Sequence, residues 1–470
     1  MKPRPASQIA AVASGRLVGD DAIVGPGLAL DSHLVTPGCL FVAIPGARVD
    51  GHDFVADAFA AGAAAAFVDH EVTAPGAQIL VDDTVEALTD LARSIHEAAQ
   101  ARGLTTLAIT GSSGKTSTKD MLAQVLEPVG LTVSPRGSYN SRFGLPATVT
   151  AIDDDTRFLV AEMGASGVGH IAWLCTVAPP DIAAVLNVGH AHLGEFGSVA
   201  DIAQAKGEII EALPVHGLAV LNADDPLVAA MAPRTKAQVC WFSATGRDVP
   251  GAQGWVGARD VHLDALDRAS LHLVGYWPDG PDFDVPVTLK TLGAHQVANA
   301  CAVAAMAMGA GLTPEQVADG LNAAVARSAW RMAPVEFPNG VLLLNDAYNA
   351  NPDSVEAALA ALGRIIAARP GSRAVAVLGD MLELGEAAQP YHEAVGGSAA
   401  RRGVDVLAVG QYAASTAAGA RRAGGRADVA GRADVADWLS DKAYDIVMLK
   451  ASRGVGLESV VDELKDRWGR

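Results

Sequence analysis

Residues 107–120, LAITGSSGKTSTKD, combine groups suited to holding phosphate. Gly111, Ser112, Ser113 and Gly114 form a turn whose backbone N–H groups can converge on phosphate oxygens, and a following helix adds its positive end. Lys115 has the reach for β and γ phosphates, and Thr116 offers a hydroxyl to Mg²⁺. Position 109 is Ile where the longer form of this motif has glycine, so the signal is the shorter G-S-S-G-K-T led by Thr110. The alternative is a Gly/Ser turn with a solvated lysine. The apolar run before the turn and the helical pattern after it favour a phosphate loop, with ATP and Mg²⁺ as expected ligands.

Other groups could complete such a site. Glu162 ends the apolar run FLVAEMG (158–164), the position where open α/β sheets gather ligands. It is a metal-ligand candidate or, more plainly, a helix cap. His190 and His192 in NVGHAHLGEFG (187–197) would share a face of extended chain, but no further ligands at zinc spacing accompany them. Lys206, in AQAKGEII, sits among alanines on a helical stretch and could snorkel to water. An unmodified ammonium cannot ligate a metal. Asp346, Tyr348 and Asn349 lie in the polar turn NDAYNANPDS. Arg331, in SAWRM near an expected domain boundary, could neutralise phosphate charge during transfer or make a boundary salt bridge.

Positioning these groups takes more than one core, and 470 residues correspond to about three domains. The net charge of −18 argues against broad binding to nucleic acid or to an anionic membrane. Residues 1–15 lack a signal-peptide core, and no apolar run suits a membrane span. The four cysteines have neither CxxC nor zinc spacing, so reduced buried thiols and a cytoplasmic location are expected.

The expected fold class is α/β in three domains. A small N-terminal α/β domain spans 1–103, with a helix over 51–63 and another over 83–103. A central, mostly parallel-sheet P-loop ATPase domain spans 104–312, with strands at 105–110, 158–164, 181–189 and 217–224 and helices at 116–129 and 199–213. Period-two patterns over 234–290 read as antiparallel, and 295–311 reads as a buried helix. A C-terminal Rossmann-like α/β domain spans 313–470. It opens on Thr313 and Pro314 and has strands at 341–348, 373–380, 404–410 and 445–452. The Gly- and Arg-rich segment 421–434 reads as an exposed connection.

The phosphate loop, Glu162, AHL (191–193) and AKGEI (205–209) lie in an order that resembles the ATP-dependent Mur ligases of peptidoglycan synthesis, over essentially the whole length. DAYNANPDS (346–354) and LGDMLELG (378–385) are similar to the branch that joins D-alanyl-D-alanine to UDP-N-acetylmuramoyl-tripeptide. The resemblance implies that the N-terminal domain holds the UDP end of the muramyl substrate, with Ser32, Asp50 and His52 as its contacts. In the central domain it implies phosphate and Mg²⁺ at Lys115 and Thr116, substrate or phosphate near Asn140, and metal at Glu162. His192 would ligate a second metal, supported by a carbamylated Lys206. His295 and Asn299 would line the adenine side, while Arg331 and Asp346 would meet the phosphate end and ribose. Tyr348, Asn349, Ser452 and Arg453 would face substrate as the C-terminal domain closes over ATP and the acceptor amine. Three positions depart from the family pattern: His33 for Arg, Ser141 for Asn and Ala451 for Gly.

The implied reaction is attack of the tripeptide carboxylate on the γ-phosphate, giving an acyl phosphate and ADP. The amine of D-alanyl-D-alanine then displaces phosphate. Rival readings are a Mur-type or folylpolyglutamate-type ligase adding a single amino acid, and a non-catalytic nucleotide-gated interaction protein. A monomer is expected.

Overall fold

The structure is a computed structural model that describes residues 1–46, 49–135, 137–190, 193–277 and 280–469. Among them, the phosphate-loop strand Thr105–Thr110 runs parallel between Phe158–Glu162 and Ile182–Val185. These three strands belong to a nine-stranded sheet. Their apolar runs lack alternation because helices cover both faces. On one face lie Lys115–Leu126 and the alanine-rich Gln296–Gly309, whose small side chains let helix and sheet approach closely. On the other lie His170–Val177 and Val199–Glu211.

The reading of 234–290 as antiparallel is corrected in part. Gln238–Ser243 pairs parallel with both Leu218–Asn222 and Gly254–Leu263. Only Gly254–Leu263, Arg268–Tyr276 and Phe283–Leu292 form the antiparallel meander at the sheet edge.

In the N-terminal unit, a five-stranded sheet contains Leu40–Val42, Ala65–Val68 and Ala77–Leu80. The expected helix over 51–63 is shorter than its pattern: a 3₁₀ turn, Gly51–Phe54, leads into Val55–Ala60. Thr84–Gln100 is capped by Asp83, which accepts from Val85 N (2.7 Å) and Glu86 N (3.1 Å). Its apolar stripe joins the N-terminal and central cores into one.

The C-terminal unit has a six-stranded sheet in which Ala333–Glu336 is antiparallel and the other strands are parallel. Its last edge strand, Ala427–Ala430, lies inside the segment read as an exposed connection, which is therefore corrected. An edge strand carries too little apolar signal to stand out. Pro314–Ala323 opens with the capping box of Thr313 and Gln316. It buries Val317 and Leu321 in the central core, so a division at 312/313 cuts through that core. All four cysteines are free and buried. Among the described residues no helix is long and apolar enough to cross a membrane.

Candidate active site

The phosphate loop is pinned by the end of the neighbouring strand. Asn187 accepts from Ser113 N (2.9 Å) and donates to Ser113 O (3.2 Å), while Ser112 Oγ accepts from Gly189 N (2.8 Å). Gly114 has φ +82°, and a Cβ there would lie 2.7 Å from Asn299 Oδ1, so the position needs glycine twice over. Lys115 Nζ donates to Gly111 O (2.7 Å); burial lowers its pKa and the Glu162 carboxylate opposes that shift.

Arg331 crosses from the interdomain linker to donate to Thr116 Oγ1 (2.8 Å). Its neighbours Trp330 (φ +61°) and Met332 (φ +48°) both hold left-handed backbone that L-residues avoid. The turn after Leu342–Asp346 supports that strain. Tyr348 N donates to Trp330 O (3.2 Å), Met332 N donates to Asp346 Oδ1 (3.1 Å), and the Arg331 guanidinium lies 4.2 Å from the Tyr348 ring centroid. Asp346 also pairs with the buried Lys450 (2.8 Å), which donates to Asn349 O (2.8 Å). Lys450 escaped the sequence reading, although a lysine closing the apolar run DIVML was a visible signal.

Glu162 is 1% exposed. One oxygen accepts from Asn140 Nδ2 (2.7 Å), while Oε2 is buried with no partner. A buried carboxylate oxygen without a donor is costly unless a cation meets it. With the Thr116 hydroxyl on the same cavity, the donor set is hard oxygen, which fits Mg²⁺.

That cavity, about 600 Å³, gathers Ser112, Ser113, Gly114, Lys115, Thr116, Asn140, Glu162, His295, Asn299, Arg331, Asp346, Tyr348 and Asn349. Gly111 is buried behind the loop. Lys206 does not line the cavity. It is 4% exposed on Val199–Glu211, and burial, with Lys115 nearby, pushes its pKa well down. His192 lies outside the described residues.

Ser32 and Asp50 belong to the N-terminal unit, where Asp50 caps Gly51–Phe54. The reading of His52 as a substrate contact is corrected. Its buried ring accepts from Asp69 N at Nε2 (3.1 Å) and meets Asp50 at Nδ1 (2.7 Å), leaving no ring nitrogen for a ligand. Ser452 is likewise structural: buried, it accepts from Leu382 N (3.0 Å) and donates to Ala350 O (3.3 Å). Arg453 lies over the Trp330 and Tyr348 rings at 5.6 and 5.8 Å, beside the linker. Of the three departures, Ser141 lines the cavity, Ala451 is buried, and His33 is exposed beside Asp31.

Asp353 is a further residue the sequence did not single out. From the first turn of Pro352–Ala367 it accepts from His190 N (2.7 Å) across the domain boundary. A Cβ at position 189 would run into its carboxylate, so any larger residue before His190 would have to displace Asp353.

Three family descriptions match the chain in order: Mur ligase family, catalytic domain, over 26–96; Mur ligase middle domain, over 109–307; and Mur ligase, glutamate ligase domain, over 330–453. The chain is 35% identical to the UDP-N-acetylmuramoyl-tripeptide–D-alanyl-D-alanine ligase of Escherichia coli across 98% of both chains. It is 39% identical to the Mycobacterium leprae enzyme of that name across 92% of both. Among solved structures, MurF from Acinetobacter baumannii superposes with a TM-score of 0.83 at 30% identity, covering 99% of each chain. MurF from Thermotoga maritima, solved in complex with ADP, gives 0.75 at 28% identity, covering 94% of this chain and 98% of that one. The three family matches in order, with relatives 35–39% identical over more than nine-tenths of the length, show that the chain belongs to the Mur ligase family.

Proposed function

We propose that this protein joins D-alanyl-D-alanine to UDP-N-acetylmuramoyl-tripeptide in the cytoplasm, converting ATP to ADP and phosphate. One observation carries the reading: Lys115, Thr116, Glu162 and Arg331 converge on a single cavity between the central and C-terminal units. Full-length similarity to enzymes named for this reaction supports the substrates. Residues 1–103 would hold the UDP end, the central unit ATP, and the C-terminal unit that follows Pro314–Ala323 the incoming amine.

Thr116 and Glu162 would hold Mg²⁺, which supplies charge neutralisation at the β- and γ-phosphates. Lys115 leaves Gly111 O and Arg331 leaves Thr116 Oγ1 to meet phosphate oxygens. They offset charge as the tripeptide carboxylate takes up the γ-phosphoryl group. The amine then attacks the acyl carbon and phosphate departs, with the cavity fixing all three reactants in register. Burial pushes the Lys206 pKa well down, which favours the amine that adds CO₂, and the resulting carbamate would supply negative charge for a second cation with His192.

The test is phosphate release with UDP-muramyl tripeptides carrying diaminopimelate or lysine, each crossed with D-alanyl-D-alanine, D-alanine and no amine. Release is expected only with the dipeptide, with a product mass equal to the pentapeptide. Turnover with D-alanine instead would assign a single-amino-acid ligase.

A further inference from the structure

Behind Arg331 lies a second cavity of about 120 Å³, walled by the linker, the phosphate-loop helix and the last meander strand. Arg331 lines both cavities. Three polar atoms among the residues lining the smaller one are buried without a partner: Ser328 Oγ, Thr291 Oγ1 and Arg331 Nε. Ser328 is 8% exposed, and neither hydroxyl belongs to the larger cavity. Buried donors left unpaired in a native fold call for a ligand or ordered water.

The carboxylate and amide acceptors of the wall are engaged elsewhere, Gln296 Oε1 by Asn299 Nδ2 (2.8 Å). The wall's carboxylate, Asp120, is already engaged by Lys119 and by Ser328 N (2.9 Å). Its other cations are Lys290, which donates to Ala323 O (3.3 Å), and Arg268, paired with Asp264 (2.7 Å). The space equals the liquid volume of about four waters and is far below what a nucleotide or drug-sized ligand needs. Donors, surplus positive charge and this size together select a small oxyanion.

We propose that this cavity is a second anion site that receives orthophosphate after it leaves the acyl phosphate, with Arg331 as the group shared between the two positions. The proposal rests on the ATP-dependent reading above. It separates the phosphate leaving the reaction from the position that the γ-phosphate of the next ATP must occupy.

The full chain, saturated with Mg²⁺ and a β,γ-imido ATP analogue so that the γ-phosphate position is filled, is dialysed against radiolabelled orthophosphate. One equivalent should bind and sulfate should displace it. The double variant Ser328→Ala, Thr291→Val should weaken orthophosphate at least tenfold with analogue affinity unchanged. If the double variant melts well below the parent, Thr291→Val alone carries the comparison. No orthophosphate bound beside the analogue, meaning the cavity holds water only, overturns the proposal. Binding that neither variant weakens overturns it too. Failure of the analogue itself to bind removes the ATP reading, which the release assay would show independently.

Discussion

At Lys206 a single side chain changes meaning with its surroundings. Its alanine neighbours allow a lysine that snorkels to water, but the fold buries it near Lys115. Burial first, and then the nearby Lys115 charge, push the Lys206 pKa well down, which favours the amine over the ammonium. A neutral amine can take up CO₂ and become an anion, which suits a place beside cations. Lys206→Ala should therefore lower kcat about 10–100-fold, the usual loss when a metal's supporting group is removed. Added formate or acetate should restore part of the rate by occupying the vacated space. An unchanged rate would mean that the amine only fills volume.

At the scale of elements, the helix Thr84–Gln100 meets the phosphate-loop strand through His96, whose Nε2 lies 2.8 Å from Thr106 Oγ1 while Nδ1 is buried without a partner. Burial lowers the His96 pKa from 6.5 to about 4. The unfolded chain thus takes a proton near pH 6.5 that the native state refuses until about pH 4. The contribution to stability is full above pH 6.5 and falls as pH drops across that window, by roughly 3 kcal/mol in all. The urea midpoint should slope downward from pH 7 to 4.5, and His96→Gln should flatten that slope; an equal slope would place the titration elsewhere. The strands on either side of this contact were legible because burial on both faces leaves long apolar runs. The parallel pairing of Gln238–Ser243 was not, because the strands that follow it along the chain form the antiparallel meander. Ala427–Ala430 was not, since a half-exposed edge strand shares its composition with turns. In the site, the place of Lys115 after its Gly/Ser turn and of Glu162 at a strand end could be read. The scaffolding roles of His52 and Ser452 could not, nor could Asp353 as the partner of His190. Those roles depend on partners 17 to 163 positions away.

Across the whole molecule, the C-terminal unit is docked on both sides of the cavity. On the phosphate side Asp353 holds His190, and Gly194 N donates to Glu383 O (3.0 Å). On the opposite side Asp267, fully buried at φ +63°, accepts from Arg364 Nε (2.5 Å) and Nη2 (2.9 Å) and also from Ala294 N (3.1 Å). Leu266 beside it and Leu292 pack into the C-terminal core. Asp267 therefore ties Arg364 to the backbone that leads into His295. Such docking orders the cavity, and product release is expected to require that it be undone. Arg364 is half-exposed, so water replaces part of the lost contact. Arg364→Met should cost the docked state about 1–3 kcal/mol, equivalent to an apparent ATP affinity about 5- to 150-fold weaker. Small-angle scattering should show a larger radius of gyration for the variant without nucleotide, returning to the parent value when the imido analogue is added. Because Arg364 lies outside the cavity lining, a weaker ATP affinity at an unchanged radius would mean that it positions His295 locally. A changed radius with kcat preserved would establish the ion pair as a contact that closes the two units over ATP.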